Sequence, residues 1–461
     1  MRRRSSLLPA GPAAPLGWLL AVTLFATAPS TQAQADREVA APRFAELARR
    51  LELPQPLPVQ TAGSGTLDLG TAVQRGIALS PDLEAATARA AQAAAQSDVA
   101  RGALRPRADL RVAAGRGRWD TPDPDVSNNR QDHNLIVRQV LFDDGARHEL
   151  SRQRLLAQSA EAQLQQVRQQ VKLDIAGAFV TLVRDRVAVK AAEQQEQRLS
   201  QLAARLGGQT SAAAVADRER VAARLANVRS ATAEARATLQ AALRNLERLS
   251  GEYPSAVWVA SVPEVDLPAD ERQALQAVRE GNPELVALQL ESQAAERELA
   301  VREARFAPRV ELEVGHYRNR NIAGPPGRYE DTRALAVLTL PLANGGADVA
   351  ARRVALARVA EANARVRGAE RRLTQEVETA YSDLQSLAER HAAIASELAS
   401  NLRLADTYSA QPTGADLLVS DVVDAFQRLA QSQNDLAQVQ VSLAQTRWRI
   451  ARLTGRLEIG P

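Results

Sequence analysis

The sequence predicts a mainly α fold with a small β part, in which long coiled-coil helical hairpins are interrupted by four strands per chain. Three observations carry that prediction. The composition suits long packed helices, a unit of about 200 residues is written twice, and inside each unit helical periodicity gives way once to strand-like alternation.

Forty-five per cent of the 461 residues are apolar but only 3% are aromatic, and Ala, Leu, Val, Gln, Arg and Glu crowd long stretches with little Gly or Pro. That is the make-up of extended helices rather than of a mixed globular core. The first 35 residues read as a secretory leader: Arg2, Arg3 and Arg4, an apolar run from about Leu16 to Ala28, then Ala33-Gln34-Ala35 before Asp36. The apolar run is short for a bilayer span, and nothing later reaches 18 uninterrupted apolar residues.

Removing the leader leaves 55 basic against 54 acidic residues, so the basicity of the whole chain belongs to the leader. A near-neutral chain with few aromatics gives no support for a nucleic-acid partner. There is no Cys, which excludes disulfides, thiol catalysis and a lipid on a leader cysteine.

Ser80-Pro81-Asp82-Leu83 returns as Asn282-Pro283-Glu284-Leu285, and Leu104 to Leu110 returns as Phe306 to Leu312, both displaced by 202. Leu141 to Ala146 answers Leu342 to Ala347, Ala178-Phe179 answers Ala380-Tyr381, and Leu249-Ser250-Gly251 answers Leu453-Thr454-Gly455. The organisation expected is therefore a leader (1–35), a Pro-rich N-terminal extension (36–66), a first repeat (67–252), a linker (253–268), a second repeat (269–456) and a short tail (457–461).

Within each repeat, Pro is absent between Pro124 and Pro254, between Pro341 and Pro412, and from there to Pro461. Proline breaks a helix interior, so its absence permits very long helices. Leu164, Val167, Val171, Ile175, Ala178 and Leu182 recur at alternating three and four spacing, and Leu373, Val377, Ala380, Leu384, Leu387, His391, Ile394, Leu398, Leu402 and Ala405 do so in the second copy. Such stripes are coiled-coil seams. They predict helices near 81–105, 144–206 and 211–250, with counterparts near 283–307, 346–408 and 413–454. The first and third of each set have the summed length of the second, so they can stack end to end beside it.

Between the first and second of these helices, Asp109-Leu110-Arg111-Val112 and Glu311-Leu312-Glu313-Val314 alternate charge with apolar residue. One charged and one apolar face suits a wall between lipid and water, and equally an ordinary half-buried hairpin. Strands are expected at about 107–118 and 133–142, then 309–318 and 332–341, joined by polar loops at 120–132 and 318–331. The return strands alternate poorly and assign no face. Trp119, Tyr317 and Tyr329 fall near strand ends, where interfacial aromatics sit.

These features together resemble the TolC family of outer membrane efflux and secretion proteins, over about Leu67 to Gly455. The signatures are the doubled Ala-to-Pro elements (Ala72 to Leu83, Ala274 to Leu285), the helix-to-strand junctions at Pro106 and Pro308, and the small-residue turns Asp143-Asp144-Gly145 and Asn344-Gly345-Gly346. The resemblance implies a homotrimer with a twelve-stranded barrel in the outer membrane of a Gram-negative bacterium and a helical tunnel in the periplasm. It also implies a periplasmic adaptor (membrane fusion protein) and an inner membrane transporter of ABC or RND type as partners, and no cofactor. Four strands per chain cannot close a barrel alone without leaving edges in lipid.

The segment Asp421-Val422-Val423-Asp424-Ala425 is similar to that family's gate helix. Asp421 and Asp424, three apart, share a face near a tip at Gln411 to Ala415, and threefold repetition would set six carboxylates around the entrance. Two Asp near a helix start are also what the helix dipole favours. The first copy has Glu219 and Ala222 there, with Arg218 and Arg220 as candidate braces.

An enzyme is not expected: His133, His148, His316 and His391 have no metal-ligand spacing, and no phosphate-binding Gly-Lys-Ser/Thr loop exists to power transport. A periplasmic coiled-coil adaptor or structural protein of an export complex is the alternative, although an adaptor carries a single hairpin within β-rich domains. The missing leader cysteine points away from the acylated drug-efflux branch. It leaves type I secretion of a polypeptide slightly ahead of small-molecule extrusion as the cargo reading.

Overall fold

The computed structural model describes residues 66–119, 126–208, 211–251, 256–257, 265–321, 327–410 and 418–459. The expected leader, nearly all of the Pro-rich extension, most of the inter-repeat linker and the Gln411 to Ala415 tip lie outside these residues.

The first repeat runs β1 (Thr66–Leu67), α1 (Leu69–Leu79), α2 (Pro81–Gly102), β2 (Arg107–Trp119), β3 (Val126–Phe142), α3 (Asp144–Leu206) and α4 (Ala212–Ser250). The second runs β4 (Ala256–Val257), α5 (Glu271–Gly281), α6 (Pro283–Glu303), β5 (Arg309–Arg320), β6 (Arg328–Thr339), α7 (Ala347–Ala410) and α8 (Val419–Leu453). A 3₁₀ turn at Ala304–Phe306 follows α6.

Local chemistry fixes most boundaries. Ser80 and Asn282 cap α2 and α6 through bonds from the Leu83 and Leu285 amides, with Pro81 and Pro283 at the first helical position, where the missing N–H costs nothing. Asp143 caps α3 by accepting from the Ala146 amide at 2.9 Å. At the far ends, Gly251 and Gly455 adopt φ of 76° and 73°, which only glycine enters without strain. Gly455 is the left-handed residue of a full Schellman motif, its amide donating to Arg452 O and that of Arg456 to Ala451 O.

α3 and α7 have 63 and 64 residues, about 95 Å each at 1.5 Å per residue. α3 packs α2 along one part and α4 along another, and α7 treats α6 and α8 likewise, so two-stranded walls form as the helix lengths predict. The largest core lies where the stacked helices meet. Ile175, Phe179 and Leu182 of α3 pack there with Val73 of α1, Leu246 of α4 and Trp448 of α8. Leu457 and Ile459 are buried in the same cluster, so these residues of the expected tail are a core segment instead: their alternating side chains complete it.

α1 and α5, each 11 residues, correct the expectation of three helices per repeat. Their caps, Asp68 accepting from Thr71 and Asp270 from Gln273, were legible signals. β1 and β4 pair in parallel, Thr66 with Ala256 and Leu67 with Val257, and tie the start of one repeat to the start of the other.

Candidate channel wall and gate

The four long strands form one antiparallel sheet in the order β2-β3-β5-β6. Its register supplies what the return strands alone withheld, because directly paired residues share a face. One face carries Asp109, Arg111, Asp132, Asn134, Arg138, Glu311, Glu313, Asp331 and Arg333. The other carries Ala108, Leu110, Val112, Leu135, Val137, Leu312, Val314, Ala336 and Leu338, turning polar toward the strand ends at His133, Arg318 and Glu330.

On the central strand β5 the polar face is the more sheltered: its residues are half-buried or buried from Glu311 to Asn319, whereas Val314, His316, Arg318 and Arg320 are exposed, and the edge strand β6 is exposed on both faces. Leu110 on the apolar face is 70% exposed and Leu338 66%. Partly sheltered polar residues with aliphatic carbon outward, as β5 shows, invert the soluble pattern and match a barrel wall facing lipid.

Charges on the sheltered face are linked across all four strands. Arg138 of β3 contacts Asp109 of β2 at 3.3 Å and Glu313 of β5 at 3.1 Å. The Tyr317 hydroxyl donates to Glu313 at 3.2 Å, and Arg333 of β6 lies 4.4 Å above the Tyr317 ring. Gly315 permits this stack, since a Cβ there would stand 2.5 Å from the Tyr317 ring. Tyr317 and Tyr329 both lie on this face, which corrects their expected place among lipid-interface aromatics: their partners Asp331 and Asn319 fix the parity. The side chain of Trp119 lies outside the described residues.

The expected loops are shorter than their polarity implied. β3 begins at Val126 and β6 at Arg328, because polar residues such as Asn129 and Gln131 pair across the ladder with Arg116 and Ala114. Asn321, at φ 58°, accepts from the Gly327 amide, and its side chain donates to Asn129 O, tying one hairpin to the other.

At the junctions, Pro106 and Pro308 directly precede β2 and β5. The Gln139 side chain donates to Leu104 O at 3.0 Å and pins the first junction to β3. Gly345 and Gly346 have φ of 65° and 83°, so the second turn requires glycine. Gly145 does not belong to an equivalent turn. It sits inside the first turn of α3, which Asp143 has already capped, and its bare Cα faces Ala304 and Val301 O.

Asp421 and Asp424 both lie exposed in the first two turns of α8. Leu418 stands at the N-cap without a side-chain bond, so Asp421 complements the open helix end. Among the described residues no ion pair joins either Asp to Arg218 or Arg220, and Arg220 instead pairs with Asp217 at 3.1 Å. Contacts that the sequence did not reveal join the two hairpins nearby. Arg205 donates to Ser409 O at 3.0 Å, and Arg198 lies 5.8 Å from the Phe426 ring centroid. Burial pulls the Arg198 pKa down, opposed by Asp406.

Among the described residues no group of His, Asp or Glu is arranged to hold a metal, and no helix is long and apolar enough to cross a membrane.

A strand wall with charge inside and aliphatic residues outside, continuous with paired helices of about 95 Å, defines the class of strand-mouthed helical ducts. The profile of the outer membrane efflux protein family (OEP) matches residues 274–456, the second repeat. Its fold is similar to that of the CmeC outer membrane channel of Campylobacter jejuni (TM-score 0.73, 14% identity, 88% of this chain and 91% of that one). It is also similar to the outer membrane protein VceC of Vibrio cholerae (0.69, 20%, 84% and 96%) and to the open state of the MtrE outer membrane channel of Neisseria gonorrhoeae (0.71, 16%, 85% and 89%). No curated protein sequence matches the chain.

Proposed function

We propose that three copies of this chain form the outer membrane conduit of a tripartite export system, a passive duct with its strand barrel in the membrane and its helices in the periplasm. One observation carries the reading: the two repeats share a fold but not their surroundings. α3 packs along α6 and α8 of the second repeat as well as its own partners and buries fifteen residues, whereas α7 packs along its own repeat, reaching α3 through the Arg205 bond to Ser409 O, and buries seven. Val349, Val354 and Leu356 of α7 remain exposed, and the sheet likewise ends in two open edges, β2 and β6. Unpaired strand edges cannot persist in hydrocarbon, so further copies must supply the missing neighbours.

The chain holds no nucleotide-binding loop, and energy comes from an inner membrane transporter reached through a periplasmic adaptor at the helix tips. Asp421 and Asp424, threefold repeated, form an acidic entrance that attracts cations and binds divalent ions. The missing cysteine counts only against an acylated duct; of the two cargo readings left, small-molecule extrusion and type I secretion of a polypeptide, the second is placed slightly ahead. Deleting the gene decides it: loss of one secreted polypeptide with unchanged sensitivity to toxic small molecules supports it, and the reverse assigns small-molecule efflux.

The conduit itself is tested by the mass of detergent-extracted protein and by planar-bilayer conductance. A mass of three chains and discrete openings are expected. A stable monomer that opens no pore would overturn the proposal.

A further inference from the structure

The repeat supplies a ruler for a contact that a single chain does not contain. In the β2–β3 hairpin Arg107 faces Arg138, and in the β5–β6 hairpin Arg309 faces Thr339. The outgoing strands of the two repeats are displaced by 202 (Pro106 to Pro308) and the return strands by 201 (Arg138 to Thr339), the same 201 that separates Leu141 from Leu342 in sequence. The two hairpins are thus superposable in register.

Inside the chain, the first repeat meets the second along β3 and β5, where Asn134 faces Tyr317, Leu135 faces His316 and Val137 faces Val314. The edges left open are the equivalents of those two strands, β6 and β2.

We propose that β6 joins β2 of a second copy in the register of this internal seam. Moving the return-strand residue forward by 201 and the outgoing-strand residue back by 202 places Leu335 opposite Gly115 of the partner subunit, Ala336 opposite Ala114 of the partner subunit, and Leu338 opposite Val112 of the partner subunit. The inference rests on the trimeric duct reading and fixes its geometry.

Two observations independent of the repeat agree with it. The register has the correct parity: Ala336 and Leu338 belong to the apolar outer face, as do Ala114 and Val112, so aliphatic meets aliphatic toward lipid. A slip by one residue would turn one strand's charges outward. On the sheltered face, the 43% exposed Leu335 comes to lie beside Gly115, around which there is open space within 4 Å.

Engineered disulfides test the register cleanly because the chain has no cysteine. Residues directly opposite in an antiparallel pair have Cα atoms about 4.5–5.5 Å apart, within disulfide reach of about 4.4–6.8 Å. Residues displaced by two stand roughly 7–8 Å apart and fall outside it. Within one chain β2 and β6 are three strand spacings apart, roughly 14 Å, so an intrachain bond cannot mimic the result.

Oxidised in membranes, the matched pairs Ala336→Cys with Ala114→Cys and Leu338→Cys with Val112→Cys should each give a covalent trimer on non-reducing gels as the main species, reversed by dithiothreitol. The displaced pairs Ala336→Cys with Val112→Cys and Leu338→Cys with Ala114→Cys should give at least about tenfold less, since bridging them needs backbone movement. Trimers from the displaced pairs in place of the matched ones would overturn the register and leave the trimer standing. Absence of covalent trimer from every pair, in protein that is natively trimeric, also overturns the seam. A native mass of one chain overturns the duct reading as well.

Discussion

The two left-handed glycines that end α4 and α8 are equivalent in the repeat, yet they stand against different things, and that difference sets a measurable inequality. A Cβ added to Gly251 would lie 2.3 Å from Leu79 Cδ1, the tip of a side chain that is 61% exposed and free to swing into solvent. A Cβ on Gly455 would lie 2.5 Å from Gly281 O and 3.2 Å from Gly281 C, backbone atoms at the end of α5. Residue 281 occupies in the second repeat the place of Leu79 in the first, so one copy offers a yielding partner and the other a rigid one.

Both alanine variants force a branched Cα into φ near 75°, at about 1–2 kcal/mol each. Gly251→Ala should cost little beyond that. Gly455→Ala adds overpacking of about 1–3 kcal/mol, for a total of roughly 2–5 kcal/mol. Trp448, fully buried in the neighbouring core, reports the loss by its fluorescence during urea unfolding of the detergent-solubilised protein, alongside the trimer fraction on gels. Equal midpoints for the two variants, or a larger loss from Gly251→Ala, would refute the assignment of cost to backbone collision.

Other consequences are open to measurement. Asp421→Ala with Asp424→Ala should reduce cation selectivity and relieve divalent block in planar bilayers, and unchanged values of both would remove these residues from the gate. Arg138→Met should barely alter stability, because pairs this exposed are worth about 0–1 kcal/mol, but should raise cation selectivity by freeing Asp109 and Glu313 on the inner wall. Burial, then Arg447, holds the His391 pKa below its ordinary value of 6.5, so the fold binds fewer protons there than the unfolded chain. His391 therefore favours folding fully above pH 6.5, and that contribution is lost as pH falls through the window below it. His391→Leu should flatten this part of the stability profile, as read by urea midpoints between pH 7 and 5. The hydrogen bond from Arg152 lowers the Glu149 pKa, so Arg152→Gln should shift acid unfolding to higher pH.

The helical half of the fold was legible because its signals are local. The seam residues of α3, its Asp143 cap and the proline-free interval fix Asp144–Leu206 without knowledge of any partner. The return strands were not legible, for a physical reason. Ile136, Leu335 and Val337 lie on the charged face and His133, Thr332 and Glu330 on the apolar one, so alternation is broken in β3 and β6, and only the ladder to β2 and β5 says which way each side chain points. Asp421 and Asp424 were visible as a pair, but the contacts of Arg198 with Phe426 and of Arg205 with Ser409 O were not, since nothing in a stripe of arginines marks the two that reach the other hairpin. Long-range pairing is the common cause of these omissions.

Duplication also accounts for what a single chain leaves unfinished. A unit selected to pack against its own copy must offer one edge that fits the other, and the first repeat's β3 and α3 meet β5, α6 and α8 in that way. Joining two units in one chain uses one such contact and leaves the same two surfaces free at the ends, β2 with the first repeat's outer helices and β6 with α7. Neither is polished for water: Leu110, Val112, Leu338, Leu340, Val349 and Val354 are exposed there. Because the free surfaces are equivalents of the satisfied ones, association must be head to tail and must close into a ring, as an open series would keep bare edges at both ends. Three copies make six such contacts, three within chains and three between them, and the barrel they enclose needs the two kinds to be nearly alike. A mutation at an equivalent pair should therefore act unequally in one respect: inside the chain it is buffered by the covalent link, and between chains it must be met by concentration. Val137→Arg at the internal seam and Leu338→Arg at the outer one make that comparison. Only Leu338→Arg should give a trimer yield that rises with protein concentration, and the same dependence for both would mean that the seams are not copies of one another.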